Sequence, residues 1–361
     1  MSRKLNPFNL DSLKVLSNFT RRFQYKRSSG KRVASRANHS FRKKYQLYTG
    51  ENLSWFQVIL QLEKSVVPTI FPWVLFCGTY GFLISLLHYF RVPLAFPETS
   101  EVVTQAVLSF NIGLTLLLVF RTNTAHERFW EGRKLWGSLV NTVRNLDRDI
   151  WIVVKEKEPK DKVEKEAILR LVVAFAVAMK LHLRRDNLDE QLASLMSSQQ
   201  YSILKDINHP PLQIAFWIGD YLQRQYERNC IHIYQLTPLH KLVDNLVDIL
   251  GGCERILKTP LPLVYTVKLR QLVLIYCLVL PFEIVRNLNF WTGIIMALVS
   301  FTLLSIEQIG SEIEEPFGHD PNDLPLDVIC NTMLRNVEEL ISLAHSNACS
   351  CDCRSHTSVA N

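Results

Sequence analysis

Residues Val102 to Phe120 are nineteen consecutive positions without a formal charge. That is close to the roughly 20 apolar residues a helix needs to cross a bilayer. The chain then turns basic and aromatic without a proline: Arg121-Thr-Asn-Thr-Ala-His126-Glu-Arg128-Phe-Trp130-Glu-Gly-Arg133-Lys134-Leu-Trp136. One continuous helix that starts in lipid and runs out into water satisfies both halves. The expectation is that this helix lines a pore, several copies being held around an axis.

Three further apolar runs accompany it. Val66 to Phe90 contains no Asp, Glu, Lys or Arg, with Pro68 and Pro72 near its start, where a missing amide costs least. Leu261 to Val285 holds Lys268 and Arg270, each costing about 2.5–3.5 kcal/mol at a bilayer centre; these two are placed at the inner interface or against a wet lumen. Leu288 to Ile306 is uncharged. The fold class read from this pattern is an all-α integral membrane protein, with four transmembrane helices and a helical cytoplasmic domain. Both loops on the far side carry one Arg each, whereas the N-terminal arm and the segment after Phe120 are rich in Lys and Arg. The positive-inside rule therefore puts both termini and the long helical section on the cytoplasm-equivalent side.

The expected layout has six parts. Residues 1–50 form a basic arm without regular structure. Residues 51–121 hold a short interfacial helix, Glu51 to Lys64, and the first two spans. Residues 122–260 are a water-facing helical region. Residues 261–309 hold the last two spans, 310–345 an acidic turn and a terminal helix, and 346–361 a disordered Cys-containing tail. The net charge is +7, but residues 1–44 hold thirteen Lys or Arg and one acid, Asp11, so removing +12 leaves −5 for the body. A nucleic-acid partner would rest on the arm alone, and none is expected. The arm has three readings: a lipid-headgroup binder, an organelle transit peptide, or a plain leader. In the helical region, the nine apolar residues Leu171 to Met179 are too few to span and fit a buried helix. Pro210 and Pro211 precede a helix from Leu212 to Arg228. Thr237 and Pro238 are read as the N-cap and first position of a helix running to Lys258.

On α-helical spacing, Ile112, Leu116 and Phe120 form one stripe. By itself such a stripe is lipid-facing. Asn111, on a neighbouring face with Thr104 and Thr115, calls for protein or water instead. Rings of the stripe from several subunits would form an apolar constriction favouring ions that shed water easily. Arg121 and Arg128 follow. They are either a positive inner mouth that concentrates anions, or side chains snorkelling to headgroups or pairing with Glu127 and Glu131. The acidic stretch after the fourth run is no EF-hand, because Pro325 and Asn331 stand where Gly and Glu are required; its Asp and Asn residues cap turns. Cys349, Cys351 and Cys353 could bind a soft metal, but their spacing also fits a reduced, unstructured tail. No catalytic motif stands out, so no enzyme activity is expected, and His182, His209, His232, His240 and His319 read as structural.

Two segments, Phe120 to Gly137 and Ile313 to Asp327, resemble the signature segments of the bestrophin family, closest to its bacterial and plant thylakoid branch. The resemblance covers about Asn52 to Leu343. It implies a homopentamer with one axial pore and passive flow of chloride and other small monovalent anions. It implies a neck at Ile112, Leu116 and Phe120, and a second aperture at Leu261, just before Pro262. It also aligns Asp320 and Asp323 with calcium-binding carboxylates of animal members, although Pro321 and Asn322 interrupt that run and Glu312 and Glu315 stand where amides are expected. Some bacterial members look cation-selective. The expectation is an anion channel without cofactor, whose partners are itself, the bilayer and monovalent anions, in a cell or thylakoid membrane. The alternatives are bicarbonate or monovalent-cation conduction on the same fold, a membrane enzyme, and a scaffold without transport.

Overall fold

The computed structural model describes residues 66–92 and 101–355, with side chains described over 66–92 and 105–343. The basic arm, the interfacial helix Glu51 to Lys64 and the proline-containing loop before Glu101 lie outside those residues. The described helices are α1 (Val67–Tyr89), α2 (Glu101–Val153), α3 (Pro159–Arg184), α4 (Glu190–Ala193), α5 (Ser198–Lys205), α6 (Pro210–Glu227), α7 (Ile233–Lys258), α8 (Leu263–Leu288), α9 (Thr292–Ile313) and α10 (Leu326–Ser355). A single 3₁₀ turn, Asn289–Trp291, joins α8 to α9.

The chain divides into two compact units. One takes in Leu53–Arg133 and Ile256–Leu324; the other takes in Lys134–Arg255 and the residues from Pro325 onward. Among the described residues three stretches are long and apolar enough to cross a membrane: Val67–Tyr89, Gln105–Val153 through its apolar first part, and Leu263–Ile313. The last of these is broken by the 3₁₀ turn, where Asn289 takes a left-handed φ of 46°. Ser85 on α1 donates its hydroxyl to the Asn289 carbonyl at 2.8 Å, which pins this turn.

With no hydrophobic drive between helices in lipid, close approach of backbones does the packing. α1 and α9 show how. A Cβ on Gly81 would sit 2.8 Å from Met296 Cγ, and one on Gly293 would sit 3.0 Å from Phe82 Cβ and 3.1 Å from the Gly78 carbonyl. Larger residues at these positions would force the two helices apart. Behind this seam Cys77, Leu114, Leu118, Leu269, Val273, Cys277, Met296 and Leu303 form the core of the unit. Large apolar side chains such as Phe71, Trp73, Phe82, Ile294 and Leu298 remain exposed, far more apolar surface than a water-soluble chain leaves uncovered.

The second unit is organised on α3. Nearly every residue from Ile168 to Leu183 is buried, as the short apolar core of that segment leads one to expect. α6 and α10 pack against it. Pro159 starts the helix, and Asp161 ties its first turn: its Oδ2 accepts the amides of Lys157 (2.9 Å) and Glu158 (3.0 Å) while its Oδ1 accepts from Arg228 at 2.9 Å. Burial works to raise the Asp161 carboxyl, but these donors outweigh it and hold it below its ordinary value. On α10, Leu326, Cys330, Met333, Val337 and Ile341 are buried, and Lys180 of α3 pairs with Asp327 at 2.9 Å. Burial pushes the Cys330 thiol up to about 12, so it serves as an inert core residue.

Two expectations are corrected here. The helix expected to open at Thr237 begins a turn earlier, at Ile233. Gln235 Oε1 accepts the His232 amide at 3.1 Å, and Thr237 donates to the Ile233 carbonyl at 3.3 Å instead of capping; Pro238 lies inside the helix. The segment from residue 346 is helical as far as Ser355, a continuation of α10.

Candidate functional site

α2 separates two chemistries around its circumference. Leu114, Leu118, Arg121 and Ala125 are buried against their own unit. The opposite side is uncovered: Ile112 is 71% exposed, Leu116 51% and Phe120 54%. The Thr115 hydroxyl reaches the Asn111 Oδ1 at 3.4 Å on the exposed flank. The stripe singled out from the sequence is therefore an open apolar strip on a helix whose back is anchored.

The two arginines behave differently from the reading that placed them at an open, anion-attracting mouth. Arg121 is only 1% exposed. Its guanidinium lies 3.6 Å from both Glu307 and Glu314, a spacing that marks Coulombic pairing and not hydrogen bonding. Glu307 also accepts from Arg270 Nε at 2.8 Å, which explains how α8 carries a cation between apolar residues. Arg128 spends its donors on backbone carbonyls: Ile256 at 2.7 Å, Thr259, and Glu314 at 3.1 Å. Two of these carbonyls lie at the end of α7, where a cation is favoured by the helix dipole. Of the two readings of Arg121 and Arg128, these contacts support pairing, with Glu307, Glu314 and backbone carbonyls as partners in place of Glu127 and Glu131.

Those contacts reach the second predicted constriction. Glu314 Oε1 accepts the Leu261 amide at 3.0 Å, so the Pro260-Leu261-Pro262 segment is held to the end of α9 and, through Glu314, faces Arg121. Leu261, half-buried, lines an open cleft of about 510 Å³ with Arg121, Thr266, Ser311, Glu315 and Asp320.

Asp320 and Asp323 hold a turn. Asp323 is buried, and its Oδ2 accepts the Asp320 amide at 2.7 Å, while the Leu324 amide returns to the Pro316 carbonyl at 3.0 Å. Asn322 donates to Glu312 at 2.8 Å. Among the described residues no set of three ligand atoms gathers at this turn. Such a set forms instead in the other unit, where His182, His209 and Glu254 meet. Sequence reading missed it because the three residues are far apart along the chain.

Residues 48–339 match the family described as Bacterial/Fungal Bestrophin protein. The chain belongs to the bestrophin family. Among its relatives, a voltage-dependent anion channel-forming protein of Nostoc sp. is 54% identical over 290 residues, which cover 80% of this chain and 92% of the relative. The voltage-dependent anion channel-forming protein YneE of Escherichia coli K12 is 32% identical over 77% of this chain and 89% of its own. A crystal structure of a bacterial bestrophin homologue from Klebsiella pneumoniae superposes with a TM-score of 0.68 at 27% identity, covering 76% of this chain and 99% of that one. Its apolar helices and these relatives make this bestrophin a membrane protein, built of helices throughout its described secondary structure.

Proposed function

We propose that five copies of this bestrophin assemble around one axis as a channel for chloride and other small monovalent anions. Each chain would cross the membrane four times, with α8 and α9 as separate crossings and the Lys134–Arg255 helices on the cytoplasm-equivalent side. The observation that carries the reading is the uncovered strip Ile112, Leu116 and Phe120 on a helix firmly buried along its back. Stacked as collars, these side chains form a neck without polar partners for an ion, which favours weakly hydrated species. Leu261, tethered through Glu314, would form the second aperture. The names of the Nostoc and Escherichia coli relatives supply the ion sign. The membrane would be a cell or thylakoid membrane.

A second reading, conduction of monovalent cations, is favoured by one observation, while bicarbonate is the alternative among the anions. With Arg121 and Arg128 turned into the protomer, the two turns of α2 that follow Phe120 expose Asn123, Thr124, His126 and Glu127, with the exposed cations Arg133 and Lys134 only further along the helix. Flux into liposomes carrying the purified protein, measured separately for chloride, bicarbonate and sodium, decides between them; chloride is expected to pass faster than sodium. Replacing Ile112, Leu116 and Phe120 together by Ala is expected to raise chloride current in a planar bilayer several-fold. Unchanged current in the triple variant would remove the neck from this strip, and absence of any flux would leave an enzyme or a scaffold.

A further inference from the structure

We infer that His182, His209 and Glu254 form a binding site for a divalent transition-metal ion, with zinc as the preferred occupant. His182 Nε2 lies 2.8 Å from Glu254 Oε1, and His209 Nε2 lies 2.7 Å from the same oxygen. The two imidazole rings stand 4.5 Å apart, centroid to centroid. All three ligand atoms fall within 4.8 Å of one another. Two imidazoles and a carboxylate are the donor set that zinc takes at about 2.0–2.2 Å, with a fourth position left to water or another ligand. Four-coordinate bonds of that length put ligand atoms about 3.3 Å apart. The imidazoles and the carboxylate therefore need only small side-chain rotations to open around an ion.

The backbone that carries these groups is fixed before any ion arrives. His182 lies in the last turn of α3, which ends at Arg185 in the left-handed conformation. His209 is the residue before Pro210 and caps α6, with φ −133° and ψ 70°, a position whose freedom the following proline restricts. Glu254 sits in the last turns of α7. All three side chains are partly exposed, which leaves the cluster a side open to solvent for the fourth ligand and for entry of the ion. A single ion would tie the ends of three helices that are otherwise far apart in sequence. Imidazole nitrogens with one carboxylate disfavour calcium and magnesium, which prefer oxygen donors, and suit first-row transition ions.

The test uses the full-length chain with Cys349, Cys351 and Cys353 changed to Ser, so that the tail thiols cannot bind the metal. After stripping with a chelator, zinc is titrated calorimetrically and cobalt is followed by its visible ligand-field spectrum. One zinc per chain is expected, with a tetrahedral or five-coordinate cobalt spectrum. His182→Ala and His209→Ala should each weaken zinc binding at least about ten-fold. Glu254→Gln, which keeps the shape and a hydrogen-bond acceptor and so preserves the fold, should do the same. Circular dichroism checks each variant for helix content. Zinc affinity unchanged in Glu254→Gln or in the two alanine variants, or no stoichiometric binding to the parent chain, overturns the assignment.

Discussion

At the scale of single residues, Arg121 shows how burial decides a role. A guanidinium 1% exposed between Glu307 and Glu314 has given up its hydration, and removing it leaves Glu307 with Arg270 and Glu314 with the Leu261 amide. Arg121→Met is expected to cost about 3–5 kcal/mol, read as a lower melting temperature in detergent. Arg270→Met, which removes a half-exposed partner of Glu307, should cost no more than about 1 kcal/mol. A stable Arg121→Met protein that has lost only its anion preference would restore the mouth reading. The sequence already held this answer. Arg121 lies nine residues beyond Ile112, which is two and a half turns, and so on the other side of the helix. The metal-ligand set was hidden for a different reason. Glu254 meets His182 and His209 across 72 and 45 residues, and no local spacing reports a meeting of that kind.

At the scale of elements, the seam between α1 and α9 depends on what is missing from its side chains. Gly293→Leu must drive a branched side chain into Phe82 and the Gly78 carbonyl. Overpacking of this sort costs about 1–3 kcal/mol or more, and the expected outcome is aggregated or poorly expressed protein on size-exclusion chromatography. On α7, a Cβ added at Gly251 would meet nothing within 4 Å, so Gly251→Ala should behave as wild type or gain up to about 1 kcal/mol. Equal behaviour of the two variants would mean that the seam does not hold the unit together. Long periodic elements were legible beforehand: the uninterrupted α2, the buried α3, and α6, which takes into its first turn the proline pair expected to precede a start at Leu212. The start of α7 was misread because Thr237-Pro238 imitates a helix opening, while the side chain of Gln235 three residues after His232 ties the chain into a helix earlier.

At the scale of the whole molecule, the apolar surface that one chain leaves uncovered has to be met by lipid or by other copies. Phe71, Trp73, Ile294 and Leu298 suit acyl chains, whereas the Ile112 strip sits beside Asn111, an amide costly to place against lipid. Light scattering of the protein in a mild detergent is therefore expected to give five copies per particle, and a monomer would end the proposed architecture. Apolar runs announce themselves in a sequence because the bilayer has one thickness. Stoichiometry does not, because it is set by the angle at which identical faces meet.

The three-residue turn between α8 and α9 has a consequence for how the chain is made. With its carbonyl latched to Ser85 and only Asn289, Phe290 and Trp291 to span the gap, neither flanking helix has slack to wait for the other. If α8 and α9 are separate crossings as proposed, Leu263 to Ile313 is expected to insert as one hairpin, and an epitope spliced into that bend is expected to lower the yield of membrane-inserted protein, read by fractionation and immunoblotting.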